Sequence, residues 1–155
     1  MHNTIQNLIY IEELIKSKVN HDNIDKLPKI IAVSKTFHIN DILPLIEYGH
    51  LHYGENKVQE AIDKWTDIKS KKSNIELHLI GKLQTNKVKL ALKIFDYIHS
   101  LDSEKLANKI AEEQKKQGKR PKIFIQVNIG NEGQKSGLSQ EKIRDFYKLC
   151  KNLNL

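Results

Sequence analysis

The chain has 155 residues, 39% of them hydrophobic and 29% charged, a make-up that fits one globular domain or part of one and excludes disorder throughout. Lysine plus arginine exceeds aspartate plus glutamate, 26 against 19. Yet only Arg120 and Arg144 are arginines, and the lysines scatter without interleaved aromatic residues, so the charge points to no nucleic-acid partner.

Met1 to Lys18 sets Ile5, Leu8, Ile9 and Ile15 at helical spacing with charges between them. This lacks the basic start and continuous apolar centre of a signal peptide. No apolar run approaches the roughly 20 residues needed to cross a bilayer, and the cytoplasm is the expected compartment. After a polar stretch ending at Lys29, Ile30-Ile31-Ala32-Val33 is a short β-branched run suited to a buried strand. Asn40 is the expected N-cap of a helix through Ile42, Leu45 and Ile46, and Gly49 its C-cap. Leu51 to Tyr53 reads as a second strand, Val58 to Ile68 as its helix, Leu77 to Ile80 as a third strand and Val88 to Ile94 as the helix after it. Tyr97 to Leu101 is a fourth strand, with Asp102 or Ser103 capping a helix through Leu106, Ile110 and Glu113. Ile123 to Ile129 is the fifth, and Ser139 opens a last helix through Ile143, Phe146, Tyr147 and Cys150. Cys150 is the only cysteine, which leaves no disulfide framework and a buried thiol as its expected state.

Strands alternating with helices predict an α/β fold with a parallel sheet and right-handed crossovers, either doubly wound or the beginning of an eight-fold barrel. A full barrel takes about 250 residues. On the barrel reading residues 1–155 form one partial domain, with a leading helix over 1–18 and five βα units over 30–155. No Gly-x-Gly-x-x-Gly follows the first strand, and the run from Gly81 to Lys87 lacks the glycine and spacing of a phosphate-binding P-loop.

Several residues stand out for chemistry. Period-two geometry puts Lys35 on the face of Ile31 and Val33, either as a solvated lysine at a strand exit or as an amine aimed into a barrel mouth, where desolvation makes it nucleophilic. In the fifth strand Gln126 and Asn128 make one face polar toward its C-terminal end, where the active mouth of a barrel lies. His78 is either a satisfied core histidine or a ligand contact. His52, His78 and His99 fall on different strands without close spacing or carboxylate partners, and no metal site is expected. Gly54-Glu55-Asn56 is a helix-capping turn or a place where glycine admits a ligand and Asn56 bonds it. Lys135-Ser136-Gly137 is a plain loop or an anion-attracting lid.

Read together, the strings Ala32-Val33-Ser34-Lys35-Thr36, Tyr53 to Glu60 and His78 to Lys87, then Ile98 to Asp102, Gln126 to Ile129 and Lys135 to Gly137, resemble the pyridoxal 5′-phosphate (PLP) homeostasis protein family in order and spacing. The match runs from about Ile30 through Leu138. This resemblance implies a TIM-type (β/α) barrel of the alanine racemase N-terminal kind, with about five of eight βα units in the sequence. It implies PLP held as a Schiff base on Lys35 for PLP homeostasis, without catalytic turnover, and PLP-dependent apoenzymes as recipients. Asn56 matches the family's asparagine beside the cofactor and Lys135 a lysine near the same pocket. His78, Gly81, Asn86, Gln126 and Asn128 match recurring positions that shape it. The family's phosphate-holding serine and glycine segment follows later strands and has no counterpart here, so a truncated gene fragment, or half of a split protein completed by a C-terminal partner fragment, is an expectation. A PLP-dependent amino-acid racemase is the competing one; it needs a second base opposite the lysine, commonly a tyrosine from elsewhere.

Overall fold

Hydrophobic runs of four or five residues, each followed by an amphipathic stretch, give five parallel strands joined by helices in the computed structural model, which describes residues 2–19, 27–130 and 136–155. After a leading helix, α1 (Asn3–Lys18), the order is β1 (Ala32–Val33), α2 (Ile39–Tyr48), β2 (His52–Glu55), α3 (Val58–Lys71), β3 (Glu76–Leu79), α4 (Val88–Ile94), β4 (Tyr97–Leu101), α5 (Glu104–Gln117), β5 (Lys122–Ile125) and α6 (Ile143–Asn152). The sheet order is β1-β2-β3-β4-β5, every pair parallel. These are consecutive units of the barrel type, and the sheet is open, with β1 and β5 at its edges.

The core lies between the sheet and its helices. Tyr53, Leu77, Leu79 and Ile98 point to that side and are fully buried, meeting Ala61 and Trp65 of α3, Val88 and Leu92 of α4, and Ala107 and Ile110 of α5. Burying each leucine- or isoleucine-sized side chain contributes roughly 1.5–3 kcal/mol. Alanines at 61, 91 and 107 let the helices come close to the strands. Asp96, just before β4, ties the layers: its Oδ2 accepts from Leu77 N at 2.7 Å and pairs with Lys69 of α3. The Cys150 thiol is free and buried.

Gly49 ends α2 with a left-handed φ of 103°, and Ser103 caps α5, accepting from Leu106 N. The N-cap of α2, however, is His38 and not Asn40. Thr36 adopts φ 68°, Phe37 N bonds Ser34 O, and this tight turn brings the chain into helical geometry before Asn40 is reached. β1 is shorter than its apolar run because the register pairs Ala32 with Tyr53, which leaves Ile30 upstream of the first residue of β2. β5 stops at Ile125, where β4 ends, and the chain then pairs with its own returning segment through a Val127–Leu138 bridge.

Candidate functional site

Parallel strands end on the same side of a sheet, so the exits of β1, β2, β3 and β5 form one rim. Lys35 follows β1 and is exposed. Its backbone is fixed by the preceding residue, because Ser34 is bound at each polar group. Ser34 N donates to Gly54 O at 2.9 Å, its carbonyl accepts from Lys64 Nζ at 2.9 Å, and its hydroxyl donates to Glu55 Oε1 at 2.7 Å. Glu55 is fully buried on the helix side. The same Oε1 also accepts from Lys64 Nζ and Trp65 Nε1, each at 2.9 Å, so a carboxylate that burial would penalise is compensated by a cation and two neutral donors. In the sequence Glu55 reads as part of a turn. Its burial follows from strand alternation, which turns it to the helix side together with Tyr53.

Asn56 leaves β2 half-buried, and the loop after β3 lies directly on it. A Cβ at Gly81 would stand 2.3 Å from Asn56 O and 2.8 Å from its Cα, so glycine is required for the two loops to touch. Gly54 faces the side away from the helices, between Ile31 and Ile80, where a Cβ would meet their methyl groups at 3.2 and 3.1 Å. At the β5 exit, Ile80, Lys82, Gln126, Asn128 and Ser136 line a cleft of about 430 Å³, within the range of small-ligand sites. Gln126 Nε2 donates to Ser136 O at 3.2 Å, holding the returning strand against the cleft. Gly137, at φ 126°, packs where a Cβ would be 2.8 Å from Asn128 N. Asn86 is exposed in a short 3-10 turn (Thr85–Lys87) before α4. Lys135 lies outside the described residues.

The strand face opposite the helices, which would line a barrel lumen, carries a row of rings. His52 Nδ1 is 3.1 Å from His78 Nε2, and His78 Nδ1 is 2.9 Å from His99 Nε2. Tyr97 stacks on His78 with ring centroids 4.1 Å apart, and Phe124 stacks on His99 at 4.5 Å. Burial pushes His78 down to about 4, with the neighbouring His99 and His52 adding to the shift. Burial also lowers His52 and His99. The Tyr97 hydroxyl beside Glu76 holds that carboxyl below the usual range. The expectation that these histidines lack close spacing and carboxylate partners is thus corrected. Register sets His52 opposite Glu76, and His52 Nδ1 is 3.4 Å from Glu76 Oε2. Sequence separations of 26 and 21 residues hide contacts that parallel pairing creates.

The model of the family described as "Alanine racemase, N-terminal domain" matches residues 16–155. A pyridoxal phosphate homeostasis protein of Pasteurella multocida is 36% identical over 149 residues, which cover 96% of this chain and 64% of that protein. Its counterpart in Haemophilus influenzae is 37% identical over 153 residues, covering 97% and 64%. The solved structure of PipY from Synechococcus elongatus with PLP bound superposes with a TM-score of 0.77 at 31% identity, covering 92% of this chain and 63% of that one. The chain therefore spans a little under two thirds of the length of these relatives. Among the described residues no helix is long and apolar enough to cross a membrane.

Proposed function

Because the chain belongs to the family of the alanine racemase N-terminal domain, we propose that it binds pyridoxal 5′-phosphate at the strand-exit rim, covalently through Lys35, and serves PLP homeostasis as a carrier. The placement of Lys35 carries this reading: an exposed primary amine at the end of β1, its backbone fixed by the bonds that Ser34 makes to β2 and α3. The names of the curated relatives and the PLP-bound PipY structure support it. The cofactor supplies an aldehyde, which a lysine amine attacks and holds.

The protein's part is binding and orientation. Asn56, its backbone held against Gly81, follows β2 where the register with β1 sets it across from Lys35, and its amide serves the cofactor in this reading. Gln126 and Asn128 line the cleft at the other end of the rim, with Lys82 as a cation for an anionic group. Lys135 acts in this reading, by the family resemblance alone, as a second cation for the cofactor. His78, whose two ring nitrogens face other histidines, acts by shaping the floor. Recipient apoenzymes in the cytoplasm are the partners that this reading calls for, and phosphate-holding loops in such barrels follow the later strands.

A carrier is favoured over a racemase by the names of the curated relatives, and the tyrosines of the sheet add no base of their own. Tyr53 faces the helices with its hydroxyl on His50 O, and Tyr97 opens β4 at the end of the sheet away from Lys35. Neither offers a second base across from the lysine. The test is to mix the chain with PLP, reduce with borohydride and map the modified peptide, with Lys35→Ala in parallel. Saturable labelling at Lys35 that vanishes in the variant is expected. Diffuse labelling of many lysines, unchanged by the substitution, would refute the site, and amino-acid racemisation above the Lys35→Ala background would replace the carrier by an enzyme.

A further inference from the structure

At the other end of the lumen face, three potential metal ligands meet. The register puts His52, the first residue of β2, opposite Glu76, the first of β3, and His78 lies two residues farther along β3 on the same face. His52 Nδ1 is 3.1 Å from His78 Nε2 and 3.4 Å from Glu76 Oε2, and the three residues each bring a ligand atom within 4.8 Å of the others. With zinc–nitrogen and zinc–oxygen bonds of about 2.0–2.2 Å, ligand atoms of a tetrahedral shell stand roughly 3.3–3.5 Å apart. The two edges from His52 Nδ1 are already close to that spacing.

Hydrogen bonding alone accounts for the cluster incompletely. Glu76 Oε2 is buried and has no hydrogen-bond partner, and a buried acceptor left unmatched is costly. Two facing imidazole nitrogens share at most one useful proton. The outer contacts suit coordination: an N–H on His78 Nδ1 donated to His99 Nε2, 2.9 Å away, leaves the Nε2 lone pair directed at the cluster. Metal-bound histidines ordinarily donate their second N–H to an acceptor, most often a carboxylate, a carbonyl or water, and here a ring nitrogen takes that place.

We propose that His52, Glu76 and His78 bind one zinc-like divalent ion at the foot of the lumen, with a fourth position open to water. Two imidazoles and one carboxylate select zinc or its first-row neighbours over magnesium and calcium. The ion joins β2 to β3 where each strand begins. Asn56, at the rim, is four residues beyond His52, roughly 13 Å along the strand, and neither it nor Lys35 is a ligand. His78 is the one residue shared with the floor of the proposed cofactor pocket, so the metal is titrated without PLP and through His52 and Glu76, which that pocket does not use.

Cobalt(II) tests it, since four-coordinate cobalt absorbs visible light strongly and six-coordinate cobalt weakly. The full chain, stripped with a chelator, is titrated with Co²⁺ and then with Zn²⁺. Strong visible bands saturating at one ion per chain and bleached by one equivalent of zinc are expected. His52→Ala and Glu76→Gln should each weaken binding at least about tenfold, the loss seen even for outer-shell changes. His38→Ala, an exposed histidine at the start of α2, should bind as the parent does. Circular dichroism of each variant separates loss of the ligand from loss of the fold, and the near-isosteric Glu76→Gln is the critical comparison. A weak six-coordinate spectrum in the parent, or undiminished binding in a folded Glu76→Gln variant, would overturn the proposal in favour of a simple hydrogen-bonded histidine row.

Discussion

The two faces of the sheet are made from alternate residues of the same strands, yet they obey different rules. On the helix side Tyr53, Leu77, Leu79 and Ile98 are fully buried, and the one charged strand residue, Glu55, is matched by Ser34, Lys64 and Trp65. On the lumen side Val33 is 49% exposed and Phe124 50% exposed, and the ordered contacts are rings stacked or hydrogen-bonded across strands. The first face holds the fold and positions the rim. The second carries the histidine row and Glu76 beside side chains that stay half exposed, and a substitution should therefore cost stability on one face and ligand binding on the other.

The largest effect belongs to Trp65→Ala. It opens a cavity under Tyr53, whose ring centroid is 4.8 Å away, and removes a donor from Glu55. A loss of about 3–5 kcal/mol in urea unfolding is expected. Glu55→Gln keeps acceptors for Ser34 and Trp65 but leaves Lys64 without its counter-charge. It should cost about 2 kcal/mol and also reduce borohydride-trapped PLP at Lys35, since Ser34 loses its charged anchor; retained site-specific labelling would separate the buried network from the rim. Gly81→Ala forces apart the loops after β2 and β3, for about 1–3 kcal/mol, with a larger fractional loss of labelling than of stability. Val33→Thr on the open face should change the unfolding free energy by less than about 0.5 kcal/mol. A large effect there would mean that the lumen side is already packed.

How far the sequence disclosed this arrangement depended on how local each signal was. Lys35 at a strand exit, Gly49 as a left-handed cap and the alternation of β5 follow from adjacent residues, and the repeated resemblance placed Asn56 and Gly81 at the same rim. Three features needed register or burial. The histidine row joins residues more than twenty positions apart, and only pairing of His52 with Glu76 shows that a carboxylate is within reach. Glu55 looked like a turn residue because a buried carboxylate is uncommon, and its partners Lys64 and Trp65 lie a helix away. His38 displaced Asn40 as the α2 cap because the turn at Thr36 sets the approach, and a positive φ at threonine has no sequence signature.

The agreement of strand order with chain order also governs how the molecule is made. Each strand meets only the strands before and after it in sequence, so pairing closes loops of about one βα unit, such as His52 with Glu76. Contacts of such short range lower the entropy barrier to folding, compared with sheets whose neighbours are remote in sequence. Assembly can thus proceed from the N-terminus during synthesis, with β2 covering the edge of β1, β3 that of β2, and each newly emerged helix sealing the core behind it.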